Sequence, residues 1–329
     1  MNVKDIEIAL SGKVKDTNLL NPFPGLRPFG FEESHLFFGR EGQSDEILLK
    51  LAQNRFAAVI GASGSGKSSL MYCGLIPILY GGFMTDAGSD WIVISSRPGN
   101  SPIENLSEAI VKLNESYEEL TEEERFMEST LTNVILKSSS MGLVDALKPH
   151  SLSKSSPTNF LILIDQFEEL FRFLKSETDE ESANLSAAFV NLLLKSVSQT
   201  ELPIYVALTM RSDFIGDCAQ FPDLTQIINE SHYLIPQMTR DQQRMAIEGP
   251  VAVGGGKITR RLTQQLLNDV GNNPDQLPIL QHALMRTWDY WTQNREDGES
   301  LDLRHYVAIG KLEEALSQHA NETFAELDK

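Results

Sequence analysis

Cysteine is scarce in this sequence, and the two cysteines that it has lie far apart. Cys73 and Cys218 stand without a histidine or a second cysteine at the spacing of metal ligands. A disulfide framework and a zinc site are therefore not expected, and a reducing compartment, the cytoplasm, is predicted. Long apolar runs are also missing. None approaches the length of a membrane-spanning helix, and residues 1–20 lack the pattern of a secretory signal.

Positive charge is scarce as well. The chain has 28 lysines and arginines against 46 aspartates and glutamates, which gives a net charge of −18. Surfaces that follow a DNA or RNA backbone need clustered lysine and arginine, so we expect no nucleic-acid partner. A local anion pocket is not excluded, because a helix N-terminus and one lysine can form it within an acidic protein.

One glycine-rich stretch fits the pattern of a phosphate-binding loop. An apolar run leads into Gly61-Ala62-Ser63-Gly64-Ser65-Gly66-Lys67-Ser68-Ser69, which matches G-x-x-x-x-G-K-[ST] between a predicted strand and a predicted helix. Glycines let backbone N–H groups curl around phosphates, Lys67 would reach the β- and γ-phosphates, and Ser68 would ligate magnesium. The strand before the motif and the helix after it argue against the alternative, a glycine–serine turn without function.

A second stretch carries acidic residues at the end of an apolar run. Phe160–Ile164 predicts a central strand buried on both faces, and Asp165-Gln166-Phe167-Glu168-Glu169 follows it. A parallel sheet places its ligands at the carboxyl ends of its strands. Asp165 would hold magnesium, directly or through water, and Glu168 or Glu169 would orient or activate the attacking water. This pattern is weak alone and strong when it is paired with the phosphate loop.

Arg211 follows the predicted strand at 202–210 and admits two interpretations. A cation at that strand end can sense the γ-phosphate, or it can form a local salt bridge with Asp213 or Asp217. We favour the sensor because of its position at the strand end.

Gly39 and Arg40 also admit two interpretations. They stand in a glycine turn that opens a helix one element before the phosphate loop. Such a turn is well placed to meet the base of a nucleotide, and it is equally compatible with a simple strand-to-helix corner.

Changes in composition divide the chain into four predicted segments. Residues 1–20 form a polar lead-in, and residues 21–236 form an α/β nucleotide-binding domain that begins with a proline-rich arm. Residues 237–297 form a small helical domain, and residues 298–329 belong to a further domain that we expect to be cut short. The predicted strands are 56–60, 91–95, 160–164, 202–210 and 232–235; the predicted helices are 43–53, 67–79, 102–114, 115–128 with 131–136, 182–197, 239–248, 259–270, 275–294 and 312–327, and 151–158 is predicted as a loop.

Seven segments together resemble the novel STAND NTPases, bacterial relatives of the NACHT and apoptotic-ATPase switches. They are, in order, Asn21–Phe29, Phe37–Glu41, the phosphate loop, Arg97–Gly99, Asp165–Phe171, Thr209–Phe214 and Leu277–Leu284. The resemblance implies a P-loop NTPase fold of ASCE type, with a parallel sheet of strand order 5-1-4-3-2. It also implies a helical domain after the sheet and the start of a winged helix at residues 298–329.

The resemblance also implies roles for individual residues. Gly39 and Arg40 would bind the adenine side of the nucleotide, and Pro278 of the helical domain would lie against the adenine. Arg211 would be the sensor arginine. In the cluster Asp165–Glu169 the first aspartate would handle magnesium and the later acids would assist hydrolysis. ATP or ADP and Mg²⁺ are thus the implied cofactors.

The leading hypothesis is a signal-transduction switch that hydrolyses ATP slowly. It would be closed with ADP at rest, and open and homo-oligomeric with ATP once signalled. Members of the family usually carry a sensor or effector region, which we expect beyond residue 329 or on another chain. The alternatives are a P-loop motor or nucleic-acid-associated ATPase, which the net charge disfavours, and a nucleotide-binding scaffold without hydrolysis, which Glu168 and Glu169 disfavour.

Overall fold

The computed structural model describes residues 19–84, 87–114, 116–152, 158–176, 180–271, 276–312 and 314. The strands are β1 (Phe56–Gly61), β2 (Trp91–Ser96), β3 (Asn159–Ile164), β4 (Ile204–Arg211) and β5 (His232–Leu234). The helices are α1 (Gln43–Asn54), α2 (Lys67–Ser69), α3 (Ile76–Tyr80), α4 (Pro102–Val111), α5 (Glu122–Ser138), α6 (Gly142–Leu152), α7 (Glu168–Ser176), α8 (Glu180–Ser198), α9 (Pro222–Ser231), α10 (Arg240–Val253), α11 (Arg260–Val270), α12 (Gln276–Asn294) and α13 (Leu303–Ala308). A π-helical segment, Leu70–Leu75, joins α2 to α3, and 3₁₀ turns lie at Phe31–Leu36, Tyr117–Glu119 and Ser212–Gln220.

The five strands form one parallel sheet in the order β2-β3-β4-β1-β5. Counted from the other edge this order is 5-1-4-3-2, so the predicted topology is confirmed. The register pairs Gly61 with Arg211 and Ser96 with Ile164. The carboxyl ends of β1 to β4 therefore lie side by side at the edge of the sheet where the glycine-rich loop begins.

Both faces of the sheet are covered by helices, and β1 and β3 are buried along their whole length. Along β3, Phe160 and Ile162 pack into a core that includes Phe189 of α8. The alternate residue Leu161 packs on the opposite face, into a core that includes Ile47 of α1. This alternation follows from the pleat of a strand, and covered parallel sheets have apolar strands without polar gaps.

A separate core lies beyond the sheet, in the helical part of the chain. Trp288 and Trp291 of α12 are fully buried there with ring centroids 5.0 Å apart. Leu301 and Tyr306 are buried in the same core, so the described residues from 298 to 312 pack with the helical unit. The winged helix and the last helix, 312–327, stay predictions, because residues 315–329 lie outside the described residues.

The proline-rich arm connects the helical core to the helix that follows the glycine-rich loop. At its start, Asn21 Nδ2 donates to the carbonyl oxygen of Met285 and to Asp289 Oδ1, both at 2.8 Å. Phe23 packs edge-on against Trp288. At its other end, the backbone N–H of Phe29 donates to Ser69 Oγ at 3.2 Å, on the helix that follows the glycine-rich loop. The arm thus packs on the protein along its length, from the helical core to α2.

Some elements differ from the predictions. The loop predicted at 151–158 is wrong at its start, because α6 extends to Leu152, and its residues 153–157 lie outside the described ones. Pro149 inside α6 argues locally against a helix, but Leu143 and Leu147 are fully buried and tertiary packing stabilises it. Thr239 forms a capping box at the start of α10: its Oγ1 accepts from the N–H of Gln242, and the side chain of Gln242 accepts from the N–H of Thr239.

Helices of the described residues do not have the length and apolarity needed to cross a membrane.

Replacing Phe23 by alanine tests the anchor of the arm. Phe23 is 3% exposed, so Phe23→Ala should lower the free energy of unfolding by about 3 kcal/mol. Urea unfolding followed by tryptophan fluorescence measures this, because two of the three tryptophans lie in the helical core. Leu20→Ala, at an 87% exposed position, is the matched control and should change stability by less than about 0.5 kcal/mol. Equal unfolding midpoints for both variants would contradict the anchoring role.

Candidate functional site

The glycine-rich loop connects β1 to α2 and has the backbone of a phosphate cradle. Gly64 and Gly66 adopt φ angles of 66° and 85°, in the left-handed region that glycine accepts without strain. Lys67, the first residue of α2, folds back over the loop, where its Nζ donates to the carbonyl oxygens of Gly61 (3.1 Å) and Ala62 (2.8 Å). Burial lowers the pKa of Lys67, and the negative charge of Glu168 partly opposes this. A desolvated cation of this kind favours an anionic ligand.

Asp165 lies directly behind the loop and is 1% exposed. Its Oδ1 accepts from Ser68 Oγ and from Thr209 Oγ1, both at 2.7 Å. Its Oδ2 lies 3.4 Å from Arg97 Nη2. The β3 strand end, the β4 strand end and the first turn of α2 therefore meet at one carboxylate.

The donor set at Asp165 fits magnesium. Ser68 supplies a hydroxyl and Asp165 a carboxylate, both hard oxygen ligands. Groups of three or more His, Cys, Asp or Glu side chains that could hold a metal do not occur among the described residues. A magnesium ion held by Ser68 and Asp165 would take its other ligands from phosphate and water, as this ion usually does in nucleotide sites.

The two adjacent acids at the start of α7, Glu168 and Glu169, make different contacts. Glu168 is 5% exposed, borders the cavity described below, and accepts from the backbone N–H of Arg211 at 3.2 Å. Glu169 accepts from the backbone N–H of Gly99 at 3.0 Å, in the loop after β2. The structure thus separates two candidates that the sequence left equal, and it places Glu168 at the cavity.

Arg211 borders the same cavity and forms the salt bridge that the sequence offered as the alternative. Its Nε and Nη2 atoms donate to the two carboxylate oxygens of Asp213, at 3.0 and 2.8 Å. The sensor role stays a prediction, and it requires Arg211 to exchange Asp213 for a phosphate.

Arg40 is buried beneath the glycine-rich loop. Its Nη2 donates to the carbonyl oxygen of Ser65 at 2.7 Å, and its Nη1 donates to that of Pro236 at 2.8 Å. Desolvation lowers the pKa of Arg40. Gly39 beside it has a φ of 86°, and a Cβ there would lie 2.4 Å from the carbonyl oxygen of Gln242 in α10. Gly39 and Arg40 therefore join the loop to the start of the helical unit.

These elements enclose a cavity of about 410 Å³, within the size range of small-molecule sites. Its walls come from the glycine-rich loop, the sheet edge, the proline-rich arm and α12. The predicted site residues that line it are Arg40, Ser63, Gly64, Ser65, Gly66, Lys67, Ser68, Ser69, Glu168, Arg211 and Pro278. Gly61 and Ala62 line a neighbouring cavity of about 350 Å³, and Gly39, Asp165 and Glu169 lie at the contacts given above.

Thr209, Gln166 and Arg97 are among the residues that border the cavity and that the sequence analysis did not name as site residues. The hydroxyl of Thr209 donates a hydrogen bond to Asp165 Oδ1 and accepts one from the N–H of Gln166. Gln166 itself has a left-handed backbone, with a φ of 58°. Arg97 follows β2. Since Asp165 and Arg211 were found by their places at strand ends, the same rule applied to β2 would have found Arg97.

A parallel sheet of this strand order, with a phosphate cradle after β1 and an aspartate at the end of β3, defines a P-loop NTPase. Residues 22–329 match the family described as Novel STAND NTPase 1. The chain belongs to this family, as its motifs predicted. Comparison with curated proteins gives no match.

Three solved structures illustrate the similarity of fold. The Walker-type ATPase of Pyrococcus abyssi is 14% identical, with a TM-score of 0.51 and coverage of 92% of this chain and 77% of that one. The ORC2 protein of Aeropyrum pernix, solved in ADPNP–ADP complexes, is 12% identical, with a TM-score of 0.55 and coverage of 93% and 72%. The ORC1 protein of the same organism, solved with DNA, is 15% identical, with a TM-score of 0.55 and coverage of 88% and 68%. At these identities the likeness shows the fold.

Arg40→Met tests whether Arg40 supports the loop. The variant keeps an apolar stem but leaves the carbonyl oxygens of Ser65 and Pro236 without their donor, which should lower the free energy of unfolding by about 2–3 kcal/mol. Arg40→Lys should recover only part of this loss, because an ammonium group lacks the fork that spans both oxygens. Chemical unfolding measures the three proteins. Arg244→Met, which removes a surface arginine paired with Asp241, is the control, and an equal loss there would contradict a special role for Arg40.

Proposed function

We propose that this protein is a magnesium-dependent ATPase switch of STAND type. It binds ATP and ADP, hydrolyses ATP slowly, and alternates between a closed ADP state and an open ATP state that forms homo-oligomers. One observation carries the proposal: phosphate-loop residues, the acid Glu168, and Pro278 of the helical unit all border the same cavity. A ligand in this cavity would contact both the sheet and the helical unit.

The proposed chemistry assigns tasks to Lys67, Ser68, Asp165 and Glu168. Lys67 would neutralise charge on the β- and γ-phosphates, and Ser68 with Asp165 would hold the magnesium ion, which supplies further charge neutralisation. Glu168 would accept a proton from a water molecule whose oxygen attacks the γ-phosphorus. The bond between that phosphorus and the β–γ bridging oxygen breaks, and ADP and phosphate are the products.

The adenine base of the nucleotide would lie between the proline-rich arm and Pro278. Arg40 supports this part of the cavity, because its guanidinium already donates to the carbonyl oxygens of Ser65 and Pro236. Pro278 and the arm residues Leu26 and Pro28 border the cavity and offer apolar surface to an aromatic ring. Adenine is the proposed base because the family resemblance implies it.

Slow turnover is supported by the position of Arg211. Its guanidinium is paired with Asp213, so it must leave that partner before it can stabilise charge on a transferred phosphate. A site that needs such an exchange spends part of its time in an arrangement that does not hydrolyse ATP. This is the behaviour of a switch rather than of a motor.

The proposal includes a sensor or effector region, fused or on another chain, and a cytoplasmic location. It includes no nucleic-acid partner. The ORC1 protein above was solved with DNA, but this chain carries a net charge of −18.

Loss of the phosphate-loop lysine tests nucleotide binding. Lys67→Ala should weaken binding of ADP and ATP by about a hundredfold, because the partly buried cation that would face the phosphates is removed. Nucleotide carried through purification and the affinity for fluorescent ADP and ATP analogues measure the effect. Wild-type protein that binds no better than Lys67→Ala would contradict the proposal.

A pair of matched variants tests which acid activates water. Glu168→Gln should reduce phosphate release by about a hundredfold or more while it retains ATP binding, because an amide cannot take the proton. Glu169→Gln keeps an oxygen that can accept from Gly99 and should reduce phosphate release by less than about fivefold. Phosphate release in single-turnover conditions measures both. An equal loss in the two variants would overturn this assignment. Turnover that requires DNA would instead favour the alternative function, a nucleic-acid-associated ATPase.

A further inference from the structure

Arg97 is a cation at the cavity for which the proposed chemistry has no task. It borders the same cavity as Lys67 and Ser68. Its Nη2 atom lies 3.4 Å from Oδ2 of Asp165, the carboxylate oxygen that the Ser68 and Thr209 hydroxyls leave open. The guanidinium of Arg97 therefore lies where a cation bound to Asp165 through Oδ2 would lie.

The backbone beneath Arg97 is held from two sides. Asn105 Nδ2 donates to the carbonyl oxygens of Arg97 (3.1 Å) and Pro98 (2.9 Å). On the other side, the N–H of Gly99 donates to Glu169 at 3.0 Å. The side chain of Arg97, in contrast, is 52% exposed. The guanidinium can therefore move while the loop that carries it keeps its place.

We propose that Arg97 distinguishes ATP from ADP by exchanging the carboxylate of Asp165 for the terminal phosphate of ATP. The proposal rests on the ATP site proposed above. When Ser68 and Asp165 hold magnesium, repulsion between like charges disfavours the guanidinium at Oδ2. A phosphate is then a better partner for Arg97, because a guanidinium binds two phosphate oxygens through parallel N–H groups. Asn105 and Glu169 act as positioning residues, because they hold the backbone that carries Arg97.

The exchange makes the two nucleotides differ in their need for magnesium. ADP offers Arg97 no γ-phosphate, so Arg97 stays near Asp165 and competes with magnesium there. ATP offers a partner and removes the competition. Arg97 thus raises the magnesium concentration that ADP needs, and it increases the preference of the site for ATP.

Binding titrations of the full 329-residue chain with Arg97→Gln and Arg97→Ala test the proposal. Fluorescent ADP and a non-hydrolysable fluorescent ATP analogue are titrated at a series of magnesium concentrations. In both variants the magnesium concentration for half-maximal ADP binding should fall about tenfold, and the ratio of ATP to ADP affinity should fall about tenfold. Arg97→Lys should retain part of both effects, because it keeps the charge without the fork.

Two further variants separate the effect of the position of Arg97 from the effect of removing any positive charge. Glu169→Ala removes the acceptor of Gly99 and should shift both quantities in the same direction as Arg97→Ala, by a smaller factor. Arg244→Ala removes a 43% exposed arginine that is paired with Asp241 away from the cavity, and it should change neither quantity by more than about twofold.

The results distinguish this proposal from the proposed function. If Arg97 variants keep the wild-type magnesium dependence and ATP preference while Lys67→Ala abolishes binding, the role of Arg97 is wrong and the ATP site stands. If they weaken ADP and ATP equally at every magnesium concentration, Arg97 acts only as a general anion contact and the proposal is also wrong. Wild-type protein that binds neither nucleotide would reject the ATP site itself.

Discussion

A buried carboxylate, Asp165, is the point on which the site depends. Taking a carboxylate out of water is costly unless hydrogen bonds and cations compensate it. Here the hydroxyls of Ser68 and Thr209 and the guanidinium of Arg97 provide that compensation. These partners come from α2, β4 and the loop after β2, so their hydrogen bonds set the spacing between the phosphate loop and the strand ends. The arrangement that would receive magnesium is also the one that holds these elements in register.

The same cavity links the sheet to the helical unit. The arm is anchored at one end by Phe23 in the helical core and at the other by Phe29 at Ser69. Arg40 ties the loop to Pro236, where the chain leaves the sheet. These contacts make the phosphate loop, the arm and α12 neighbours around one cavity. In the proposed switch, a nucleotide in this cavity would bias the position of the helical unit.

Much of this arrangement was predictable from sequence. The phosphate loop and Asp165 have local signatures, a glycine-rich turn and an acid after an apolar run, and the strand order followed from the family resemblance. Asp213 was one of the two salt-bridge partners that the sequence offered for Arg211, but the sequence did not decide between this bridge and a sensor role. The different contacts of Glu168 and Glu169 were not predictable, because they depend on rotamers and on the loop that carries Gly99. Helix α6 was missed for a related reason: Pro149 gives a misleading local signal, and buried contacts of Leu143 and Leu147 override it.

The proposal that the bound nucleotide sets the position of the helical unit is tested most directly by measuring the distance between the sheet and the helical unit in each nucleotide state. Both native cysteines are buried, so probes can be placed at Thr200→Cys, before β4, and at Gln293→Cys, near the end of α12. A distance measurement by paired spin labels should give different distributions with ADP and with a non-hydrolysable ATP analogue in the presence of magnesium. Lys67→Ala should abolish that difference. One distribution, unchanged by either nucleotide in a protein that binds both, would contradict the account.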